Sequence, residues 1–441
     1  MTSEELAALD RRYVWHPFTQ QQGWAAEDAP IIADAHGCTL RDTDGNEYID
    51  GVSSLWCNVH GHRHPRIDQA IRDQLDKVAH STMLGLSHEP AIRLAEKLVN
   101  LAPNGLTRVF YSDSGSTAAE IAIKIAYQHF QQSGQPKRTR FISLKDAYHG
   151  DTIGSVSVGG IDLFHSTYKP LLFDTLQAES GDIESMERLL TAYGQQVAAV
   201  IMEPIVQGAA GMLIHPNGYL RAVRQLCDEH GVLLICDEVA TGFGRTGTMF
   251  ACQQEGVSPD LMCVAKGITG GYLPLAATFA TERLYESFLG AHDEFKTFFH
   301  GHTYTGNPLA CAAALASLEV FDHEFTLDEV ADRCIQFGEL LKPLETMEGV
   351  AEVRRRGMMV GIELDGFPVS ARSGHQVTLA ARRRGAIVRP LGDVVVLMPP
   401  LSISELELGQ LVSIVVDAIQ EVVDSVPRQE IRISRTKVTV G

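Results

Sequence analysis

The chain has 441 residues, and its 37 Lys and Arg residues against 55 Asp and Glu residues give a net charge of −18. This length predicts roughly two or three domains, and the acidic balance argues against a nucleic-acid partner. No apolar run approaches the roughly 18 residues of a membrane span, and residues 1–6 lack the form of a signal peptide. The eight cysteines are scattered without a C-x-x-C pair, which indicates free thiols. We therefore expect a cytoplasmic protein with neither a membrane nor a nucleic-acid partner.

The predicted elements begin with short strands and then alternate between strand and helix. Residues 38–50 predict a hairpin around Asp44 and Gly45, and the apolar spacing of residues 66–78 predicts a helix. From about residue 106 to 320 the alternation is typical of a mostly parallel sheet with helices on both faces. The strands are predicted at residues 108–111, 141–144, 197–202, 232–236, 261–265 and 276–280.

After residue 321 the pattern changes to that of a smaller α+β unit. The order here is a helix, a strand, a helix, two strands and a final helix. Strands are predicted over residues 358–364, 386–389 and 394–397, and helices over residues 375–384 and 405–423.

A single lysine follows one of the buried strands. Lys266 comes directly after the apolar residues 261–265, and glycines then let the chain turn away. A lysine in this position is costly unless its amine is paired, neutral or used covalently. Schiff-base chemistry needs an amine with a lowered pKa, which burial provides. The alternative is that the side chain extends its amine to solvent.

Asp237 follows a second buried run, residues 232–236. Two neighbouring parallel strands would bring Asp237 and Lys266 to the same carboxyl edge, where open α/β sheets bind ligands. A lysine Schiff base with an aspartate on the pyridine nitrogen is the arrangement that pyridoxal 5'-phosphate (PLP) requires. An ion pair between the two residues is the alternative, but it does not explain the glycine-rich loops around them.

A candidate phosphate site precedes the predicted helix 118–130. Residues 113–117 read Asp-Ser-Gly-Ser-Thr, and small residues at a helix N-terminus leave free N–H groups that suit an anion. The same run also suits an ordinary N-cap. Residues 300–308 precede another helix and either bring hydroxyls from a neighbouring subunit or form a polar turn.

Three further side chains follow predicted strands. The ring of Tyr148 either stacks on a flat cofactor or is buried with its hydroxyl satisfied. Glu203 ends a strand and could orient polar groups at that edge. Arg389 suits capture of a substrate carboxylate, with a structural ion pair as the alternative.

Metal and dinucleotide sites are not predicted. His60, His62 and His64 alternate, but no acid or thiolate stands beside them at a ligand spacing, and Pro65 breaks the run. Residues 242–247 lack the G-x-G-x-x-G spacing of a Rossmann loop.

Taken together, these motifs resemble those of a known enzyme family. Residues 236–247 and 265–271 are similar to the core signature of the class III (ω-type) PLP-dependent aminotransferases. Other motifs are similar to the branch of this family that makes 7,8-diaminononanoate in biotin biosynthesis, and the resemblance runs nearly end to end. These further motifs are residues 15–19, 60–62, 112–116, 148–151, 203–208, 301–303 and 389–392.

The resemblance implies the α/β fold of the fold type I PLP-dependent transferases. In that fold a large domain has a mostly parallel sheet between helices, and a smaller α+β domain lies beside it. The implied large domain is residues 61–323. The implied small domain is assembled from both chain ends, residues 1–60 and 324–441.

The resemblance also implies a PLP site shared between the subunits of a homodimer. Lys266 would bind PLP as a Schiff base and move the reacting proton, and Asp237 would keep the pyridine nitrogen protonated. The resemblance also implies a catalytic role for Tyr148. The other implied cofactor-binding residues are Gly115, Ser116 and Glu203 of the same chain and His302 and Thr303 of the partner subunit.

The implied acceptor substrate is 8-amino-7-oxononanoate, with its carboxylate on Arg389. The implied amino donor is S-adenosylmethionine. Many members carry a tyrosine at Phe18 and a tryptophan at Leu55, and a subgroup that uses L-lysine as donor resembles this chain at both positions. L-Lysine therefore stays open as the alternative donor. The implied substrate-binding residues are Phe18, Leu55, Trp56, Tyr148, Lys266, Gly301 and Arg389.

Two other functions also stay open at this point. One is a different class III aminotransferase that acts on ornithine, 4-aminobutyrate or another ω-amine. The other is a catalytically silent binding protein with the same fold, which would show no colour or absorbance from PLP joined to a lysine.

Overall fold

The structure, a computed structural model that describes residues 1–427, is built around a seven-stranded sheet. Across this sheet the strands lie in the order β1-β7-β6-β5-β4-β2-β3. Only β7 runs antiparallel to its neighbours, so the predicted mostly parallel α/β sheet is confirmed. In chain order the strands are β1 (Leu106–Ser112), β2 (Arg140–Leu144), β3 (Thr175–Ala178), β4 (Val197–Met202), β5 (Leu233–Asp237), β6 (Leu261–Val264) and β7 (Ala276–Thr281).

The central strands are buried on both faces. Every residue of β4, β5 and β6 is buried, which is why these strands read as continuous apolar runs. Alternate side chains enter different core clusters: Leu234 belongs to one, and Leu233 and Ile235 belong to the other. All eight cysteines are free thiols, and six of them are buried in the structure.

Helices cover both faces of the sheet. The helix Gly115–Gln132 packs small apolar residues against β6 and β7. No helix within residues 1–427 is long and apolar enough to cross a membrane. The longer α-helices are Ser3–Tyr13, Pro65–Leu75, Glu89–Leu101, Gly115–Gln132, Ile183–Tyr193, Tyr219–His230, Pro308–His323, Thr326–Leu341, Ser373–Arg383 and Glu405–Ser425. The short ones are Gln21–Ala26, Ser53–Trp56, Ile153–Ser157, Asp162–His165 and Glu282–Glu286.

Two four-stranded sheets lie outside the central one. The first joins both ends of the chain, because the strand Ala386–Ile387 pairs in parallel with Glu47–Asp50. A small domain made from both chain ends requires such a pairing. The domain limits 61–323, 1–60 and 324–441 stay a prediction, and residues 428–441 lie outside the described residues. The other strands of these sheets are Ile32–His36, Thr39–Asp42, Val350–Arg356, Met359–Leu364, Arg389–Leu391 and Val394–Leu397, and a separate pair is Val206–Gln207 with Leu213–Ile214.

One predicted strand was wrong, and several strands, among them Val350–Arg356, were not predicted. The predicted strand 386–389 is two strands, Ala386–Ile387 and Arg389–Leu391, which belong to different sheets. The second of these is an edge strand and therefore tolerates Pro390. Val350–Arg356 was not predicted because its residues are mostly charged and partly exposed, so no apolar alternation marks it.

Burial of the central strands predicts a large effect for a truncated core side chain. Leu234 in β5 is 0% exposed, and Leu234→Ala should lower the free energy of unfolding by about 2–5 kcal/mol, since the vacated space cannot fully collapse. The matched control is Leu406→Ala at a 71% exposed position, with an expected change within about 0.5 kcal/mol. Equal effects of the two substitutions in urea denaturation would contradict the layer arrangement.

Candidate active site

The carboxyl ends of β5 and β6 bring Asp237 and Lys266 to one cavity. The two strands are parallel neighbours with Asp237 opposite Cys263, and Lys266 begins the short 3-10 helix Lys266–Thr269 just after β6. Both side chains line a cavity of about 450 Å³, a volume suited to a small-molecule cofactor. The sheet topology therefore creates the site.

The backbone at Lys266 is strained. Its φ of +46° lies in the left-handed region, which is unfavourable for a residue with a side chain. The turn that follows packs closely against the segment at Asn58: a Cβ on Gly271 would lie 2.8 Å from Asn58 Cα. This close approach, together with a φ of +89°, requires glycine at position 271.

The surroundings of the Lys266 amine favour its neutral form. Burial lowers the pKa of Lys266, although the negative charges of Asp237 and Glu203 act in the opposite direction. The Nζ atom lies 4.9 Å from the centroid of the Trp56 ring. A lowered pKa gives more of the unprotonated amine at neutral pH, which a lysine needs in order to act as a nucleophile or base.

The Asp237 carboxylate accepts hydrogen bonds from two groups of the protein. Asp237 is 3% exposed, its Oδ2 lies 2.7 Å from His149 Nδ1, and its Oδ1 accepts the Val239 N–H at 3.0 Å. Each oxygen keeps a further acceptor position for a group in the cavity. His149 was not among the predicted site residues, although its position beside Tyr148, just after β2, could have indicated a place in the site.

Glu203 supplies a second buried carboxyl group. Its Oε1 accepts the Gly208 N–H at 2.9 Å, and its Oε2 has no hydrogen-bond partner within the described part of the chain. Burial raises the pKa of Glu203 to about 7, and the negative charge of Asp237 acts in the same direction. Glu203 therefore changes its charge near neutral pH.

The N-terminus of the helix Gly115–Gln132 offers an anion site. Gly115 and Ser116 line the cavity, and the first-turn N–H groups of a helix lack partners within it. Ser116 Oγ accepts the Asp151 N–H at 3.1 Å, so two loops meet here. A Cβ on Gly150 would lie 2.1 Å from Ser116 Oγ, so only glycine permits this approach.

Tyr148 lines the cavity and is fixed by its hydroxyl. The phenol donates to Asp151 Oδ2 at 2.7 Å. Burial raises the pKa of Tyr148, and the hydrogen bond to Asp151 adds to the effect. The ring is therefore a neutral aromatic surface beside Lys266 and Asp237.

Leu55 and Trp56 form another part of the lining. Leu55 is 46% exposed, whereas Trp56 is buried and its Nε1 has no partner among residues 1–427. Ser53, Ser54 and Trp56 all have positive φ angles. Three such residues in one short segment indicate that the surrounding structure forces this segment against the cavity.

Five predicted site residues lie outside the lining of this cavity: Phe18, Gly301, His302, Thr303 and Arg389. Arg389 is half-buried, and burial lowers the pKa of its guanidinium, while the nearby Tyr148 acts in the opposite direction. It forms no ion pair with any carboxylate of residues 1–427. It is therefore a cation near the site that is available to an anionic ligand.

Within one chain, the loop at residues 300–308 does not line the cavity, but one of its residues contacts a residue that does. His302 Nδ1 lies 2.6 Å from Asp113 Oδ2, and Asp113 lines the cavity. Gly301 and Thr303 are exposed.

The alternating histidines have separate partners. Residues 1–427 contain no group of three or more His, Cys, Asp and Glu side chains that could hold a metal ion. The partners of His60, His62 and His64 are Ser317, Asp50 and Glu324, respectively.

The residues present fit PLP. A phosphate suits the N-terminus at Gly115, and a protonated ring nitrogen suits the free acceptor positions of Asp237. The amine of Lys266 lies in the same cavity with a lowered pKa, as attachment to an aldehyde requires.

Comparison with known proteins gives consistent matches over nearly the whole chain. Residues 24–419 match the family model described as aminotransferase class-III. The adenosylmethionine-8-amino-7-oxononanoate aminotransferase of Nitratidesulfovibrio vulgaris is 57% identical over 94% of this chain and 81% of that protein.

Two solved structures show the same fold. The adenosylmethionine-8-amino-7-oxononanoate aminotransferase of Methanocaldococcus jannaschii is 45% identical with a TM-score of 0.93, over 95% of this chain and 99% of that one. A PLP-bound amine transaminase from an uncultivated Pseudomonas species is 36% identical with a TM-score of 0.88, over 93% and 98% of the two chains.

The raised pKa of Glu203 predicts a pH-dependent stability in the cofactor-free protein. From its ordinary value of 4.5 up to about 7, the folded state keeps a proton that the unfolded state has lost. This contribution to the free energy of unfolding is complete below about pH 4.5 and is lost as the pH rises through 7, by up to about 3 kcal/mol. Glu203→Gln should remove this part of the pH dependence in urea denaturation.

The matched control is Glu179→Gln, whose carboxyl group is 62% exposed and should leave the pH profile unchanged. An unchanged profile in Glu203→Gln as well would contradict the raised pKa of Glu203.

Proposed function

Because the chain belongs to the class III aminotransferase family, which is PLP-dependent, we propose that it transfers an amino group to 8-amino-7-oxononanoate. The product, 7,8-diaminononanoate, belongs to biotin biosynthesis. Family membership confirms the resemblance drawn from the motifs and makes the chain a PLP-dependent aminotransferase. A catalytically silent binding protein with the same fold is thereby set aside.

The structural observation that supports the proposal is that Lys266 and Asp237 share a cavity with the N-terminus of the helix Gly115–Gln132. Bound PLP would supply an electron sink and carry the amino group from donor to acceptor. The choice of acceptor is supported by relatives at 57% and 45% identity, which carry the name of that reaction.

In this mechanism the residues bind, orient and move protons. The Nζ atom of Lys266 would act as base and then as acid within each half-reaction: it would take the proton from the donor carbon and pass it to the bound cofactor in the first, and deliver a proton to the acceptor carbon in the second. The Asp237 carboxylate would keep the pyridine nitrogen protonated, and His149 orients that carboxylate through its Nδ1. The backbone N–H groups of Gly115 and Ser116 bind the phosphate.

The remaining groups orient the ring and the substrate. Tyr148 covers the cofactor, and Glu203, beside Asp237 and Lys266, adjusts the charge of the site. Leu55 and Trp56 form part of the substrate pocket. Arg389 binds the acceptor carboxylate.

We also propose a homodimer in which His302 and Thr303 of the partner subunit complete the phosphate site. Exposed aromatic side chains near this loop support the proposal: Phe299 is 72% exposed and Tyr304 is 61% exposed. Gly301 of the partner subunit would contact the substrate. The free thiols of the chain are consistent with a reducing cytoplasm.

The amino donor is proposed to be S-adenosylmethionine, with L-lysine as the alternative supported by Phe18 and Leu55. The test adds each compound alone to the PLP form of the enzyme. The donor converts the absorbance spectrum of the cofactor to that of pyridoxamine phosphate, and the other compound leaves it unchanged.

The acceptor is tested by adding 8-amino-7-oxononanoate to the pyridoxamine form. Recovery of the PLP spectrum together with 7,8-diaminononanoate is the expected result. Turnover with ornithine or 4-aminobutyrate and none with this acceptor would favour a different class III reaction.

Lys266→Ala should abolish turnover and the covalent attachment of PLP, because no other amine lines the cavity of the described chain. Reduction with borohydride followed by mass spectrometry measures the attachment. The matched control is Lys145→Ala, a surface lysine that is 55% exposed and should keep both properties. Undiminished transamination in Lys266→Ala would overturn the assignment.

Arg389→Ala should raise the KM for 8-amino-7-oxononanoate by about tenfold to a hundredfold, since hydrogen bonds to a charged group contribute about 1.5–3 kcal/mol. The kcat should change much less, because the guanidinium does not touch the reacting atoms. Arg383→Ala, at a 58% exposed position, is the control. An unchanged KM in Arg389→Ala would show that the carboxylate binds elsewhere.

A further inference from the structure

Phe164 and the buried His165 turn inward from a segment whose other residues are mostly exposed. The short helix Asp162–His165 and the turn after it carry Leu163 at 86% exposure and Leu171 at 65% exposure. Phe164, in contrast, is half-buried and does not line the cavity itself.

The backbone fixes this segment to the turn that carries Tyr148. Gly160 N–H donates to Ala147 O at 2.8 Å, and Asp146 N–H donates to Gly160 O at 3.3 Å. A Cβ on Gly160 would lie 2.6 Å from Leu144 O, so the approach needs glycine. These contacts set the position of Phe164 relative to Tyr148.

The Phe164 ring contacts two aromatic residues from distant parts of the chain. Its centroid lies 6.4 Å from that of Tyr148 and 5.4 Å from that of Phe18, and both pairs are edge-to-face. Tyr148 lines the cavity. Phe18 is 59% exposed and adopts a positive φ of 50°, and the edge-to-face contact joins its ring to that of Phe164.

We propose that Phe164 is a positioning residue for the acceptor: it holds the rings of Phe18 and Tyr148 as one apolar wall beside Arg389. The inference rests on the proposed function. The acceptor has an aliphatic chain between its ketone and its carboxylate, and a chain of that kind is bound by an apolar surface next to a cation. Phe164 does not touch the substrate and acts through its two neighbours.

The test measures steady-state kinetics with 8-amino-7-oxononanoate for the wild type, Phe164→Ala and Phe164→Tyr. Phe164→Ala should raise the acceptor KM by about tenfold, which corresponds to about 1.4 kcal/mol, with kcat and the cofactor spectrum nearly unchanged. Phe164→Tyr keeps the aromatic edge and should restore the KM. Leu163→Ala, on the adjacent exposed residue, is the matched control and should behave as the wild type.

A double-mutant cycle tests whether Phe18 and Phe164 act together. Phe18→Ala with Phe164→Ala should raise the KM by less than the product of the single effects, because each substitution already breaks the same contact. Multiplicative effects, or loss of kcat and cofactor binding with an unchanged KM, would overturn the proposal. A wild-type enzyme that is inactive with this acceptor would overturn the proposed function, and this inference with it.

Discussion

The parallel pairing of β5 with β6 is the constraint on which the active site depends. It sets Asp237 opposite Cys263, so that Lys266 follows just beyond the same edge. A register shift of one residue would reverse the side chains of a strand relative to the two core clusters. Since β5 is buried on both faces, such a shift would cost core packing as well as the site. Stability and catalytic geometry therefore depend on the same register.

Burial in the cavity favours the uncharged form of two ionisable groups. It lowers the pKa of Lys266 and raises that of Glu203, in each case because the charged form loses hydration. The carboxylate of Asp237 is hydrogen-bonded to His149 and to a backbone N–H. The outcome is a site that offers an amine with a lowered pKa beside a carboxylate that accepts hydrogen bonds, which is the combination that PLP chemistry uses.

Unfavourable backbone conformations cluster around this cavity. Positive φ angles occur at Lys266 and at Ser53, Ser54 and Trp56. Phe18, at the proposed apolar wall, has a positive φ as well. Such conformations persist only where surrounding contacts determine them. Gly271 against Asn58 is one such contact, and the Phe18 contact with Phe164 is another. The walls of the site therefore depend on packing between segments that are far apart in the chain.

The sequence by itself determined the mostly parallel α/β sheet and the family, and it predicted Lys266 and Asp237 as the central residues of the site. Buried strands, a strand-end charge and a helix start are local patterns, so they can be read without the fold. Only the tertiary structure decided that His149 holds Asp237, since these residues are 88 positions apart. It likewise decided that Phe164 contacts Phe18 and that burial raises the pKa of Glu203. Hydration and contacts between distant segments depend on how the whole chain packs, and no local pattern encodes them.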